Sequence, residues 1–341
     1  MLKRIIYLGY YFKKLDSFQL KKFMDYVVKE HNISKFSLWK DIISSSLKYN
    51  ISILEYFLFK FYDISDKEKE TYAGTGYMYE YQLLMNPKQE RDLLEDKLIF
   101  LKEYAPFIKH HYISKRDITS ETETLEKILN NESGKIVLKS STGQCGEGIE
   151  VRKGTEFSID SLINRLKLTG NDFVEDYVQQ HRKLNELSPS GLNTVRIITQ
   201  LNKNGKVEIL GARLRITINS SIDNLAAGNM AAPIDIETGN VNGSGVYSDI
   251  TKLDELKHPV TGLEIIGFQI PYWSESLQMV REAALLHPQN RSIGWDVAIT
   301  DKGPELIEGN HDWCKLLWQL PVKKGLKPLL EKHKKEYLQK L

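Results

Sequence analysis

Up to about Asn86, apolar residues recur at helical spacing: SFQLKKFMDYVVKEH and SILEYFLFKFY carry aromatic and aliphatic side chains three and four positions apart. No chemistry is legible in these stripes, which read as core. The opening stretch, MLKRIIYLGYYFKKL, follows the same period with a basic fringe. It has the basic start and apolar run of a signal peptide but no small-residue cleavage site, and reads as a first helix. One face packed on the core is expected, with rest on an anionic membrane surface as the alternative. Lys67 to Glu70 is a charge run that reads as a solvated face or loop, and PKQERDLLEDKLIFLKEYAPF continues the helical pattern as a single helix towards Ser114.

Beyond Ser114 the period shortens. β-branched runs appear between turn residues: KIVLK, GIEVRK, DFVEDYV, NTVRIITQL, KVEILGARLRITI, GWDVAIT and PELIEGN. Helices are expected at Ser120 to Asn130, Ser158 to Leu168 and Ser274 to Leu286, and the chain closes in the basic helix LKPLLEKHKKEYLQKL. Strands and helices without a regular βαβ alternation predict an α+β fold with antiparallel sheets. The divisions expected are a helical region over 1–90, a first lobe over 91–180 and a second over 181–341.

At 341 residues the chain is long enough for two or three subdomains. A net charge of +2 gives no global argument for nucleic acid. Two cysteines, Cys145 and Cys314, argue against a disulfide framework and favour a reducing, cytoplasmic compartment. No apolar run is long enough to span a bilayer.

Three constellations carry chemistry. The first is KIVLKSSTGQCGEGIEV, where a strand ends at Lys139 and Gly143, Gly146 and Gly148 follow before the next strand. Glycines let backbone N–H groups close on phosphate oxygens; Ser140, Ser141 and Thr142 add hydroxyls, and Lys139 adds a point charge. The order G-x-x-G-x-G is neither the Rossmann and kinase order nor a P-loop, and its place between strands suggests a flap over phosphates. A merely mobile turn is the plainer alternative.

The second is IGWDVAITDKGPELIEGNHDW, which reads as a hairpin with the three-residue loop Asp301-Lys302-Gly303. Pairing Thr300 with Pro304 and counting outward sets Asp296 opposite Glu308, with Asn310 beside it on the same face. These three hard oxygen donors suit Mg²⁺; cross-strand pairing with surface cations is the alternative.

The third is NTVRIITQLNKNGKVEILGARLRITI. A two-residue Asn204-Gly205 turn pairs Lys203 with Lys206, setting Arg196 opposite Arg213 with Arg215 on the same face. Three adjacent guanidiniums call for anions among them: nucleotide phosphates, a substrate carboxylate, a developing acyl-phosphate, or local Asp and Glu partners.

Lys139 with its glycine loop, VEDYV, NTVRI and Asp296…Glu308-x-Asn310 resemble, in this order, the ATP-grasp enzymes. DNLAAGNMAAPID, HPVTGLEIIGFQIPYW and IGWDVAIT are similar to the sugar-transfer-associated ATP-grasp family, which is commonly linked with bacterial polysaccharide biosynthesis. The similarity runs from about Ile51 to Trp318. It implies two α+β lobes sandwiching ATP, with Lys97 as a first nucleotide-binding lysine and Lys139 as the second. It also implies a hinge at Glu175, Asp176, Tyr177 and Val178 that meets adenine, and the magnesium ligands Asp296, Glu308 and Asn310. Arg213 or Arg215 would stabilise the transferring phosphoryl group, and Glu186 is the candidate ribose-binding acid. In this chain helices stand where many relatives carry an α/β domain.

The resemblance implies carboxylate–amine ligation through an acyl-phosphate, with a sugar acid and an amino acid as partners. A kinase acting on a hydroxyl is the second reading, and a non-catalytic nucleotide-binding partner of a glycosyltransferase the third. His110 and His111 are expected to be exposed, and Cys145 is not expected to be a nucleophile. His311, Asp312, Asp223, Asn224 and Asn229 are open to either substrate contact or turn chemistry.

Overall fold

The structure, a computed structural model, describes residues 2–143, 148–221 and 223–339. Two antiparallel sheets organise it. The first has four strands, β1 (Tyr112–Ser114), β2 (Lys135–Lys139), β3 (Glu150–Lys153) and β4 (Phe173–Asp176), in the order β1-β4-β2-β3. The second has five, β5 (Thr194–Leu201), β6 (Val207–Ile216), β7 (Met230–Ile234), β8 (Ser292–Thr300) and β9 (Gly303–Asn310), in the order β7-β6-β5-β8-β9.

Alternation along each strand assigns its faces. Ile136, Leu138 and Val174 of the first sheet pack under the helices Thr122–Leu129 and Ile159–Thr169, through Leu125, Ile128, Leu162 and Leu166. Val195, Ile197, Leu214, Val297 and Leu306 of the second pack on the helix Trp273–Leu286, through Leu277, Val280 and Ala283. The remaining face of the first sheet lines a cleft, and that of the second is shared between the cleft and a cluster in which Tyr81, Met85, Trp313 and Trp318 cover Ile198 and Leu210.

Both central hairpins reach the expected pairing by another route. Thr300 pairs with Gly303, not Pro304, so the loop is only Asp301-Lys302; a bulge at Ile307 then restores Asp296 opposite Glu308. In the other hairpin Leu201 pairs with Val207 and Asn202 N–H bonds Lys206 O, so the loop has three residues, with Gly205 at φ 77°. A bulge at Leu210 returns Arg196 to its place opposite Arg213.

The expected single helix after Pro87 is broken. Asp96 leaves the helical region and caps a new helix, Lys97–Glu103, accepting from Leu98 N at 2.9 Å and Ile99 N at 3.0 Å. The break frees Lys97 N–H to bond Ser141 O at 2.9 Å, tying this helix to the glycine loop.

The N-terminal helices Leu2–Lys13, Ser17–His31, Lys35–Tyr49 and Ile53–Leu58 enclose their own aromatic core around Phe23, Tyr56, Phe57 and Phe61. Buried Glu55 ties this bundle to the chain after β9, accepting from Thr75 N at 3.0 Å and pairing with Lys315 at 3.1 Å. The first helix buries Tyr11 and half-buries Tyr7 and Leu8, as a core-packed face requires. Its outer face is apolar as well, and exposed.

Candidate active site

Residues of both sheets line a cleft of about 300 Å³ between them. Val137, Lys139, Glu175 and Val178 line it from the first sheet and its exit; Arg215, Asp296, Glu308 and Asn310 line it from the second.

At one end Lys139 Nζ is in contact with Glu175 Oε1. Lys97 Nζ, alongside, donates to Gly143 O, and burial lowers its ammonium below the ordinary lysine value. Burial alone would raise Glu175, but Lys139 and His110 hold its carboxyl down at about 2. His110 was expected to be exposed, and here the structure corrects the sequence. Its side chain is only 3% exposed, with Nδ1 2.8 Å from Glu305 Oε2 and Nε2 3.7 Å from Glu175 Oε2. Burial opposes its charge, yet the two carboxylates push its pKa up to about 9. An imidazolium thus bridges β4 of one sheet and β9 of the other, a role that the dipeptide His110-His111 gives no hint of. His111 is half-exposed and bonds Asp176 Oδ2 at 2.9 Å, turning that carboxylate out of the cleft.

The start of the glycine loop is anchored through Ser141. Its N–H and its hydroxyl each bond Asp172 at 2.7 Å, so Ser141 holds the loop base and does not face the cleft. Ser140 and Gly143 line the cleft instead. Gly148 takes φ 74°, a conformation that favours glycine, and its carbonyl accepts from Asn171 Nδ2 at 3.1 Å. Gly146 and Cys145 lie outside the described residues.

At the other end Asp296 is gripped by two arginines. Arg196 Nε meets Oδ1 and its Nη2 lies 2.9 Å from Oδ2, while Arg215 Nη1 reaches Oδ2 at 2.6 Å. Burial works against Asp296's charge, but both guanidiniums overcome it and hold the carboxyl well below the usual range. Burial, reinforced by Asp296, pushes Glu308 up. Asp223, which pairs with Arg215 at 2.5 Å and accepts from Thr194 N at 2.9 Å, is also raised by burial. Three carboxyl groups therefore crowd around two guanidiniums, with Lys97 acting on Glu308 as well. Asn310 donates its Nδ2 towards Gly294 O and Glu308 Oε1, both at 3.3 Å. Asp296, Glu308 and Asn310 are oxygen donors of the kind a hard divalent cation takes, while no group of three or more carboxylates, histidines or cysteines among the described residues is set to hold one.

The three arginines do not act as one cluster. Arg215 lines the cleft, and Arg196 sits behind Asp296 and orients it. Arg213 is not brought to the site: its guanidinium turns to the carbonyl of Trp318, with Nε 3.0 Å away. Buried without a carboxylate, it is lowered to about 10. The expectation of local Asp partners thus describes Arg196 and Arg215, and that of a catalytic trio does not describe Arg213.

Tyr177 and Val178 line the cleft, as a hinge would. Glu186 does not: it is exposed on the short helix Arg182–Leu187 and absent from the cleft wall, so the ribose-binding role lacks its candidate. Asn224 reaches the wall, yet its side chain caps Ala226 N at 3.0 Å; Asn229 accepts from Ile218 N at 2.8 Å, a turn role. His311 and Asp312 both line the cleft, with His311 Nε2 2.8 Å from Glu95. Glu95 also lines it and carried no motif to mark it; Thr194 lines it too, and lay within NTVRI without a role of its own.

A family profile described as sugar-transfer associated ATP-grasp matches residues 77–335. No curated protein sequence matches the chain. Solved structures similar in fold include N5-carboxyaminoimidazole ribonucleotide synthetase in its ADP complex, at 11% identity and TM-score 0.37, covering 64% of this chain and 45% of that one. The ATP-grasp ligase PsnB, complexed with a minimal precursor, is 12% identical with TM-score 0.41, covering 74% and 63%. D-alanine–D-alanine ligase from Bacillus anthracis is 16% identical with TM-score 0.39, covering 72% and 68%. The chain spans about half the length of the synthetase.

Proposed function

Because the chain belongs to the sugar-transfer associated ATP-grasp family, over residues 77–335, we propose that its cleft binds Mg-ATP and spends it on joining a carboxylate to an amine. One observation carries this reading: Lys97, Lys139 and Arg215 share a single cleft with Asp296, Glu308 and Asn310. Cations for phosphates and oxygen donors for a metal are what phosphoryl transfer requires, since its catalysis is mostly positioning and charge neutralisation.

Glu175, Tyr177 and Val178 receive the base at the exit of the first sheet. Lys97 and Lys139 neutralise phosphate oxygens, with Ser140 and Gly143 at the start of the glycine loop beside them on the cleft wall. Asp296, Glu308 and Asn310 would hold magnesium, which when bound supplies Lewis-acid neutralisation of the phosphate charge. Arg196 keeps Asp296 ionised and oriented. A substrate carboxylate oxygen attacks the γ-phosphorus, the bond to the β-phosphate oxygen breaks, and ADP leaves. Arg215 faces the charge that develops. The amine then attacks the acyl carbon, the C–O bond to phosphate breaks, and the nitrogen loses a proton to give an amide.

The family's association with sugar transfer supports a sugar acid as one substrate and an amino acid as the amine, in cytoplasmic bacterial polysaccharide synthesis. The test is phosphate release from Mg-ATP with sugar acids crossed against amino acids, products identified by mass. A condensed product formed only with both partners, together with ADP and phosphate, is expected. Phosphate left on the substrate without an amine would replace this reading with a kinase.

A further inference from the structure

The first helix, Leu2–Lys13, is apolar on both sides and has a protein partner on only one. At 100° per residue, Arg4, Tyr7, Leu8 and Tyr11 share one face. That face meets the bundle: Tyr11 is buried with its hydroxyl 3.3 Å from Asn50, and Arg4 donates to Leu47 O at 2.8 Å at the end of the helix Lys35–Tyr49. Leu2, Ile5 and Ile6 fall on the opposite face, flanked by Tyr10 and Phe12. They are exposed by 75%, 53% and 63%. A helix that is apolar all round implies cover on both sides.

Charge says what that cover is. The first forty residues hold nine Lys and Arg against three Asp and Glu, in a chain whose net charge is only +2. Several of these cations are engaged, as Lys3 is with Glu80 and Lys22 with Asp249. Lys13, Lys14, Lys21 and Lys40 make no ion pair among the described residues. Lys13 continues the outer face itself, and the exposed rings of Phe18 and Phe36 start the next two helices. An aliphatic strip flanked by aromatic rings and unneutralised lysines, with no carboxylate on the strip, matches the interface of an anionic bilayer. There acyl chains take the aliphatic groups and head groups take the cations. A folded protein partner would be expected to meet hydrogen-bonding groups on the strip, and the face offers only the Tyr10 hydroxyl.

We propose that the outer face of Leu2–Lys13 docks the protein on an anionic lipid surface, lying in the plane of the interface without crossing it. No helix among the described residues is long and apolar enough to cross a membrane. The experiment is cosedimentation of the full chain with phosphatidylcholine vesicles, with and without phosphatidylglycerol, at low and high salt. Binding to the anionic vesicles is expected, weakening roughly tenfold as salt screens the lysines. Ile5→Glu/Ile6→Glu should abolish it while Mg-ATP binding and melting stay unchanged, and Lys13→Glu/Lys14→Glu should weaken it without affecting either. A chain that stays in the supernatant with both vesicles overturns the proposal, as does equal, salt-insensitive binding to neutral lipid. So does a dimer that Ile5→Glu/Ile6→Glu dissociates and that ignores vesicles, because the cover would then be a second copy.

Discussion

His110 Nδ1 lies 2.8 Å from Glu305 Oε2, placing a buried imidazolium between the two sheets at the end of the cleft where Glu175 and Lys139 meet. Its folded pKa, about 9, exceeds the ordinary 6.5, so its stabilising contribution is complete below about 6.5 and is lost as pH rises through about 9. Glu175, held near 2 against an ordinary 4.5, contributes above 4.5 and stops contributing as pH falls through about 2. This cluster therefore stabilises most between about 4.5 and 6.5. His110→Gln should cost ~3 kcal/mol in that window, by leaving buried Glu305 without a cation and Glu175 with Lys139 alone. The loss in melting temperature should shrink as pH is raised beyond 9; a deficit independent of pH would mean that the imidazole is neutral.

Asp296 and Glu308 should separate when each is made an amide. Asp296→Asn removes the anion between Arg196 and Arg215 and should cost ~3–5 kcal/mol of stability. Glu308 is buried with its carboxyl pushed up, so its charge destabilises the fold once pH exceeds the ordinary 4.5. Glu308→Gln should therefore melt at or above the wild-type temperature near neutral pH while losing ATP turnover. A Glu308→Gln protein that melts far lower would mean that its charge is structurally paired.

Arg213 and Arg215 differ by two positions and should differ in kind. Arg213→Met removes the bonds to the Trp318 carbonyl, and should change stability by ~1–2 kcal/mol with kcat within about twofold. Arg215→Lys keeps a charge in the cleft but not the fork that spans Asp223 and Asp296, and should reduce kcat ~100-fold or more. Equal loss of turnover in both variants would return Arg213 to the site.

Much of this site was legible because strand period alone decides which residues share a face. The Asp296–Glu308 and Arg196–Arg213 pairings were right although both loops were counted one residue wrong, since a bulge at Ile307 and another at Leu210 offset the errors. Bulges leave no mark in a pattern of apolar and polar residues. The strand β7, MAAPI, was missed because small residues carry little β-signal; Pro233 is tolerated there because β7 is an edge strand. β1 is only three residues long. Asp96 was read as helix interior, whereas its carboxylate caps the next helix and so places Lys97 against the loop. Arg213 missed the site because spacing gives a residue's face but not the direction of a long side chain; Glu186 came only from the resemblance, and its place on Arg182–Leu187 leaves it exposed. His110 is the converse case. Its meaning lies entirely in Glu175 and Glu305, which are distant in sequence.

The central claim is that the cleft between the sheets takes ATP together with a divalent cation. Calorimetric titration of ATP into the protein, with and without magnesium, tests it most directly when repeated on Lys139→Ala and Glu308→Gln. Wild-type binding that tightens with magnesium is predicted. Lys139→Ala should bind roughly tenfold or more weakly in both conditions, losing a phosphate contact. Glu308→Gln should keep binding without metal and lose the tightening. ATP binding indifferent to magnesium, or unchanged in both variants, would contradict the account.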